Sequence, residues 1–434
     1  MTQANIGKFR QLIQEHQRLD TMLGSDDELA HLLPVVEVTL GVLAQDEAGH
    51  YYGIVIRADR EAIRLTHSGS IPEAAMPNAA MYANSAAWDE CLSRQPAPNF
   101  HHFFAMRMRV PETVVIGDEQ TFAQHAHISR RLIEIGREIV SGSSPAASNY
   151  DLDRSSITGN YLSVSLENRL IDLHVEHSGP VDRPVLLFLH TAGADARQAH
   201  SIMNDPAVVN RYRTVAFDMP GHGFSDRLDD KFGSWSLTTE RYIAAIEAVI
   251  TQLDLDQPIL IGASMAGQAC LAMALHRPDL IGGVVACEAA DHVPGRTTPW
   301  PTDPQVNGSI FAAEWIDGLI GPQSPQQLRW DIRWQYSQGG FGTFTGDIDF
   351  YSGSWDIRGQ LSRLDTNACP VIMMTGEYDY SCTPEMSEAT AASIKGAEFW
   401  VMPELGHFPV YENPVAFSPH LSKALALIER KRNA

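Results

Sequence analysis

The stretch I-G-A-S-M-A-G at 261–267 decides the fold of the longer part of this 434-residue chain. The apolar run at 258–261 predicts a buried strand, and the residues that follow predict a helix. A serine on such a strand-to-helix turn has a strained backbone, and only small neighbours fit around it. Gly262 and Ala266 are small, although the usual motif has glycine where Ala266 stands. The pattern predicts Ser264 as a nucleophile, and taken alone it is also that of a helix N-cap serine.

An acid and a histidine later in the chain supply the partners that a nucleophilic serine needs. Asp379 ends M-T-G-E-Y-D, directly after a predicted strand at 371–374, and His407 lies in the loop of V-M-P-E-L-G-H-F-P-V. A hydroxyl is a weak nucleophile until an imidazole takes its proton, and a carboxylate fixes the tautomer of that imidazole. The chain order Ser264, Asp379, His407 is one of the known orders of this triad.

Two further loops at predicted strand ends fit the same chemistry. F-L-H-T-A-G at 188–193 follows a buried strand, and we expect the backbone amides of Ala192 and Met265 to face a developing oxyanion. Thr191 stands where the common H-G-x-G motif has glycine. F-D-M-P-G-H-G-F-S at 217–225 is interpreted as a structural turn whose glycines relieve the backbone, and its histidine is not expected to be catalytic.

Taken together, these segments resemble the α/β-hydrolase superfamily over about residues 160–430. The resemblance implies an α/β fold with a mostly parallel sheet, a helical cap, the triad Ser264–His407–Asp379 and no cofactor. Glu288, just past a predicted strand at 283–287, is an alternative acid, because zearalenone-lactonase-like hydrolases resemble this arrangement and take their acid from that strand end.

The predicted cap is the insertion at about 291–367. It contains 11 aromatic residues among 77, or 14%, against 8% for the whole chain. Some of them must form the core of the cap, but the excess predicts a large apolar pocket over the serine for a bulky hydrophobic substrate. The tryptophans expected to line that pocket are Trp300, Trp315, Trp330, Trp334 and Trp355.

The first 140 residues predict a smaller α+β domain (1–140), followed by a small-residue linker at 141–150 and the α/β domain at 151–434. Helices are predicted at 5–22, around 79–94 and at 119–140, with strands between them, one of them at 106–110. The order of these elements, with W-D-E-C-L at 88–92 and V-I-G-D at 115–118, resembles sterol-carrier-protein-2-like domains, which implies a lipid-like ligand or a docking surface.

Composition excludes several classes of function. The net charge of −21 and the lack of any basic run make nucleic acid and anionic membranes poor partners. Five cysteines without a C-x-x-C pair and a polar N-terminus predict a cytoplasmic protein without disulfides. No histidine or cysteine spacing fits a metal site and no glycine-rich phosphate loop is present, so no metal or other cofactor is expected.

Three functions remain open at this stage. The first is a serine hydrolase that cleaves a carboxylic ester or lactone of a small hydrophobic substrate. The second is a meta-cleavage-type C–C hydrolase, since those enzymes use the same triad. The third is a hydrolase-shaped protein that only binds a hydrophobic ligand. A homodimer formed through the N-terminal domain is a further expectation.

Overall fold

The computed structural model describes residues 7–143, 147–148, 150, 152–228 and 231–433. The chain forms two compact units. One comprises Met1–Ala146 with Asp303–Gly318, and the other comprises Ala147–Thr302 with Leu319–Ala434. We call them the N-terminal unit and the sheet unit. The predicted linker at 141–150 falls partly on residues 144–146 and 149, which lie outside the described residues.

The N-terminal unit is an α+β structure built on a five-stranded sheet in the order β3-β2-β1-β4-β5. Strands β1 and β4 are parallel and the other neighbours are antiparallel. Apolar residues of the helices and of one sheet face, Phe9, Leu40 and Trp88 among them, form one continuous core. Its elements are α1 (Lys8–Gln14), α2 (His16–Gly24), α3 (Asp27–Ala30), β1 (Val38–Gln45), β2 (Tyr51–Ala58), β3 (Ile63–Ser70), β4 (Ala79–Tyr82), α4 (Ser85–Cys91), α5 (Phe103–Arg109), β5 (Val114–Gly117), α6 (Glu119–Gln124) and α7 (Ala126–Ser141).

Two predictions for this unit are wrong. The predicted helix at 79–94 begins as strand β4, because its alanines are buried in the sheet between β1 and β5, and only the part after the Asn84 cap is helical. The predicted strand at 106–110 belongs to helix α5, since Phe103 and Met106, one helical turn apart, are the residues that enter the core. The order of elements therefore differs from the predicted one, and the resemblance to sterol-carrier-protein-2-like domains stays a prediction.

One helix of the predicted cap belongs to the N-terminal unit instead. The helix Gly308–Asp317 packs Phe311 against Phe104, with ring centroids 6.2 Å apart. Its Glu314 accepts a 2.5 Å hydrogen bond from the buried guanidinium of Arg130. Two further carboxylates, those of Glu28 and Glu134, also bind Arg130. A buried guanidinium needs such partners, and this need explains why the segment leaves the cap.

The sheet unit contains eight strands in the order β13-β12-β11-β10-β8-β9-β7-β6. Strands β6 and β7, the first two of this unit, form an antiparallel pair. The strands from β8 to β13 are parallel to one another, which confirms the predicted mostly parallel sheet. The strands are β6 (Thr158–Leu166), β7 (Arg169–Ser178), β8 (Val185–Leu189), β9 (Arg213–Phe217), β10 (Ile259–Ala263), β11 (Gly283–Cys287), β12 (Val371–Gly376) and β13 (Glu398–Met402).

Helices flank this sheet, as the wholly buried central strands require. The helices of this unit are α8 (His200–Met203), α9 (Pro206–Val209), α10 (Thr239–Gln252), α11 (Met265–His276), α13 (Gln326–Ser337), α14 (Thr343–Asp349), α15 (Pro384–Ala392), α16 (Pro409–Glu412) and α17 (Pro414–Arg432). Helix Gly308–Asp317 of the N-terminal unit is α12. Because parallel strands end at the same edge, the loops after β8, β10 and β12 bring the predicted site residues to one side of the sheet.

Candidate active site

Ser264 occupies the sharp turn between β10 and α11. Its backbone has φ 61° and ψ −125°, a strained region for a residue with a side chain. The Ser264 N–H donates to the Cys287 carbonyl at 3.0 Å, which fixes the turn to the neighbouring strand. A Cβ on Gly262 would lie 2.7 Å from Ala266, so the close approach of strand and helix requires glycine at this position. The geometry is that of a nucleophile turn rather than an N-cap, since the Ser264 side chain caps no helix amide.

His407 and Asp379 form a buried pair. The imidazole Nδ1 lies 2.7 Å from the Asp379 Oδ2, and the two side chains are 4% and 0% exposed. The other carboxylate oxygen of Asp379 accepts from the backbone amides of Ser381 and Cys382 at 2.8 and 3.3 Å. The carboxylate is thus held in place on one side and directed at the ring on the other. This arrangement fixes Nδ1 as the protonated nitrogen and leaves Nε2 as the base.

Glu288, the alternative acid, does not bind His407. It follows β11 with φ 46°, and its Oε1 accepts from the Gly376 amide at 3.0 Å. Its Oε2 is buried without a partner among the described residues. Burial, and then the nearby charge of Asp379, raise the pKa of Glu288 well above its usual range. The structure therefore places behind Asp379 a second carboxyl whose buried surroundings disfavour its charged form.

A third buried carboxyl supports the loop that carries His407. Glu412, on α16, accepts hydrogen bonds from the amides of Gly406 and Gly321. Burial raises its pKa to about 8. The His407 amide itself donates to the Leu319 carbonyl at 2.8 Å. The chain after α12 and the histidine loop are therefore joined by one backbone hydrogen bond and by the Glu412 carboxyl, which accepts from both.

The predicted oxyanion loop is held from several sides. Thr191 donates its amide to Gln198 Oε1 at 2.9 Å, and its hydroxyl lies 2.6 Å from the Tyr336 hydroxyl. The amides of Ala192 and Met265 have no acceptor within the described part of the chain. Met265 is the first residue of α11, where a free N–H is expected. Both amides are thus available to an incoming oxygen.

The five tryptophans predicted to line a pocket are not brought together. Trp330 and Trp334 are more than half exposed. Trp355 is buried and donates to the Ala290 carbonyl at 2.8 Å, and Trp300 lies half-buried in a short turn. Trp315 belongs to the N-terminal unit. Exposed helix faces and local packing account for these positions, and a role of the five tryptophans in binding substrate stays a prediction.

Tyr351 of the cap and Phe408, the residue after His407, place aromatic rings near the imidazole. The Tyr351 ring centroid is 6.1 Å from that of His407, and Phe408 lies 5.2 Å from it. Tyr336 contacts both Phe408 and Phe344. A cavity lined mostly by apolar side chains includes Phe408 and the start of the predicted oxyanion loop, but neither Ser264 nor His407 lines it. The immediate surroundings of the histidine are therefore aromatic and apolar.

All five cysteines are buried free thiols. In the described ranges, no three His, Cys, Asp or Glu side chains are grouped in a way that fits a metal ion. None of the described helices has the length and apolar character needed to cross a bilayer.

A family model decides the identity of the sheet unit. The model described as the alpha/beta hydrolase family matches residues 186–419, which is more than half of the chain. This chain belongs to the alpha/beta hydrolase family. The matched range includes Ser264, Asp379 and His407, and it begins in β8 and ends in α17.

Curated relatives match a shorter stretch of this chain than the family model does. The 2-hydroxy-6-oxononadienedioate/2-hydroxy-6-oxononatrienedioate hydrolase of Escherichia coli is 31% identical over 157 residues, which are 36% of this chain and 53% of the relative. The chain thus spans about half the length of the curated relatives it matches. Their activity is accordingly a hypothesis for this hydrolase.

Solved structures share the fold of the hydrolase at low identity. The enol-lactonase from Burkholderia xenovorans LB400 is 19% identical with a TM-score of 0.53, and the match covers 62% of this chain and 100% of that one. The 2-hydroxy-6-oxo-6-phenylhexa-2,4-dienoate hydrolase from Rhodococcus sp. strain RHA1 is 18% identical with a TM-score of 0.50 over the same shares. These likenesses show the alpha/beta hydrolase fold alone.

Sequence reasoning missed the residues that contact the predicted oxyanion loop, namely Gln198, Tyr336 and Asp347. Asp347, on cap helix α14, accepts a 2.8 Å hydrogen bond from the Gly193 amide, next to Ala192. Nothing in the aromatic-rich sequence around Asp347 marks this acid among the other acids of the cap. A buried acid in a cap is recognisable only when the loop that it binds is known.

Proposed function

We propose that this protein is a serine hydrolase that cleaves a carboxylic ester or lactone of a bulky hydrophobic small molecule. The observation that carries the proposal is the 2.7 Å contact between His407 Nδ1 and Asp379, in a unit whose nucleophile turn strains Ser264. A binding protein without catalysis has no need of a strained serine and an oriented imidazole.

The proposed reaction has two steps. Ser264 Oγ attacks the carbonyl carbon while His407 Nε2 takes its proton, and the amides of Ala192 and Met265 stabilise the oxyanion. Collapse breaks the bond to the leaving oxygen, which takes the proton from His407. Water then attacks the acyl-enzyme, again giving its proton to His407, and the acid leaves as Ser264 is restored.

The aromatic surroundings of His407 support a hydrophobic substrate. The rings of Tyr351 and Phe408 flank the imidazole. Tyr351 is also tied to the helix behind the nucleophile, because the Gln268 amide group donates to its carbonyl at 2.9 Å. Apolar walls with a few polar groups are typical of sites for small hydrophobic ligands.

A C–C hydrolase is the second candidate. It is favoured by one observation, the 31% identity over 157 residues to a hydrolase from Escherichia coli whose name specifies an oxo-dienedioate substrate. In that reaction the leaving group is carbon rather than oxygen, so a proton must reach carbon before the bond breaks.

Substrate profiling separates the two candidates. We expect the purified protein to hydrolyse p-nitrophenyl esters and aryl or aliphatic lactones, with kcat/KM rising with acyl chain length, and to leave ring-fission dienoates intact. The matched control is Ser264→Ala, which should lose all turnover. Turnover of a ring-fission product with no ester or lactone activity would contradict the first proposal and establish the second.

A further inference from the structure

Asp347 binds three donors from three different segments of the hydrolase. Its Oδ2 accepts from the Gly193 amide at 2.8 Å and from His222 Nε2 at 2.7 Å, and its Oδ1 accepts from Trp235 Nε1 at 2.7 Å. The side chain is 0% exposed. A fully buried carboxylate with three charged or polar donors is held in one position, because each lost donor would leave it unpaired.

The Asp347 partner His222 is itself linked to the oxyanion loop. Burial lowers the pKa of His222, but the adjacent Asp347 carboxylate outweighs it, so that the pKa is raised and both ring nitrogens donate. The ring of His222 lies 4.9 Å from that of His190. Burial and then the His222 charge lower the pKa of His190. Neutral His190 accepts from the Met219 amide and donates to the Thr191 carbonyl at 2.9 Å.

Packing adds a third constraint on the same loop. Gly193 has φ +67°, and a Cβ at that position would lie 2.6 Å from the ring of Phe344, one turn before Asp347 on α14. A side chain at Gly193 is therefore excluded both by its backbone and by the cap helix. The peptide units on both sides of Ala192 are fixed, one through Thr191 and one through Gly193.

We infer that Asp347 is a positioning residue that holds the Ala192 amide in the direction needed to stabilise the oxyanion. This inference rests on the proposed serine-hydrolase function. It also explains why the Gly193 amide takes no part in the oxyanion site, since Asp347 already occupies it. The cap thus contributes a hydrogen-bonded support to the reaction centre as well as a cover.

The isosteric variant Asp347→Asn tests the inference. An amide has one acceptor oxygen, so it cannot serve the Gly193 and His222 donors and the Trp235 donor at once. We expect kcat on p-nitrophenyl butyrate to fall by about 10- to 100-fold, the range for a loop displaced by a fraction of an ångström. KM should stay within about threefold, because ground-state binding is not involved.

A transition-state mimic separates positioning from general damage. An alkyl trifluoromethyl ketone forms an oxyanion on the serine, so its inhibition constant should weaken by the same factor as kcat/KM. The fraction of protein that reacts to completion with a fluorophosphonate should stay that of the wild type. The matched control is Asp349→Asn, an exposed acid on the same helix, which should leave all readouts unchanged.

Two further variants keep the test decisive if Asp347→Asn does not fold. Trp235→Phe removes only the donor to Asp347 Oδ1. His222→Gln disturbs Asp347 Oδ2, the oxygen that binds the Gly193 amide, so the loss of kcat must be larger in His222→Gln. Wild-type kcat and ketone affinity in Asp347→Asn, or equal effects of the other two variants, would overturn the inference and leave the proposed function intact. A wild-type protein that neither turns over esters nor takes the fluorophosphonate would overturn the proposed function and this inference together.

Discussion

The sheet unit contains two buried histidine–aspartate pairs of equal length, 2.7 Å, that use different nitrogens. His407 binds Asp379 through Nδ1, and its Nε2 has no partner within the described residues. His222 binds Asp347 through Nε2, and its Nδ1 donates to the Pro220 carbonyl. One ring can therefore accept a proton, and the other is saturated. Whether the second ring nitrogen is already bonded, more than the strength of the pair, decides whether a histidine acts as a base or as a support.

The largest expected effect comes from the carboxylate of the first pair. Asp379→Asn should lower kcat by about 10⁴, because the amide stabilises the wrong tautomer and no longer stabilises the imidazolium. Steady-state kinetics on a p-nitrophenyl ester would measure it. The comparison would break if this variant kept most of its activity while Glu288→Gln collapsed, since Glu288 would then be the acid.

The second pair should be far less sensitive. His222→Gln keeps a donor toward Asp347 but loses its charge, and we expect kcat to fall by about tenfold with fluorophosphonate labelling retained. His407→Gln, assayed beside it, should lose labelling altogether. A loss of labelling in His222→Gln would contradict the distinction between base and support.

The two pairs differ in how far the sequence predicts them. Ser264, Asp379 and His407 follow strands whose apolar runs are readable, so chain order and strand ends placed them at one sheet edge. Asp347 has no such marker, because its role depends on a tertiary contact between a cap helix and the oxyanion loop.

The same reasoning explains the errors of fold prediction. Strand periodicity in the sheet unit reflects burial on both faces, which few other structures produce, and those strands were predicted correctly. The short elements of the N-terminal unit carry weaker patterns, and tertiary packing decided β4 and α5. The transfer of α12 to that unit depends on the buried guanidinium of Arg130, nearly two hundred residues before it in the chain. No local pattern predicts a partner at that separation.

A smaller effect is expected at Glu288. Its carboxyl accepts from the Gly376 amide and does not bind His407, and burial disfavours its charged form, so Glu288→Gln should keep kcat within about threefold of wild type. The same ester assay measures it. A loss of more than a hundredfold would show that the second acid takes part in the reaction.

The smallest effect on activity, but a measurable one on stability, is expected at Glu412. Its pKa is raised to about 8 in the folded protein, so its contribution to stability is complete below its unfolded pKa and is lost as the pH rises through 8. Glu412→Gln cannot ionise, so this variant should show a smaller decline in unfolding temperature between about pH 5 and about pH 9 than the wild type. Thermal unfolding followed by circular dichroism across that pH range measures the decline. An unchanged decline would show that Glu412 does not titrate in this range.

The central claim is that the sheet unit contains an activated serine whose base is His407. Intact-mass analysis after treatment with a small fluorophosphonate, followed by peptide mapping, tests it most directly. The account predicts a single adduct on Ser264 in the wild type and in His222→Gln, and none in His407→Ala. An adduct on another residue, or labelling that survives His407→Ala at the wild-type rate, would contradict it.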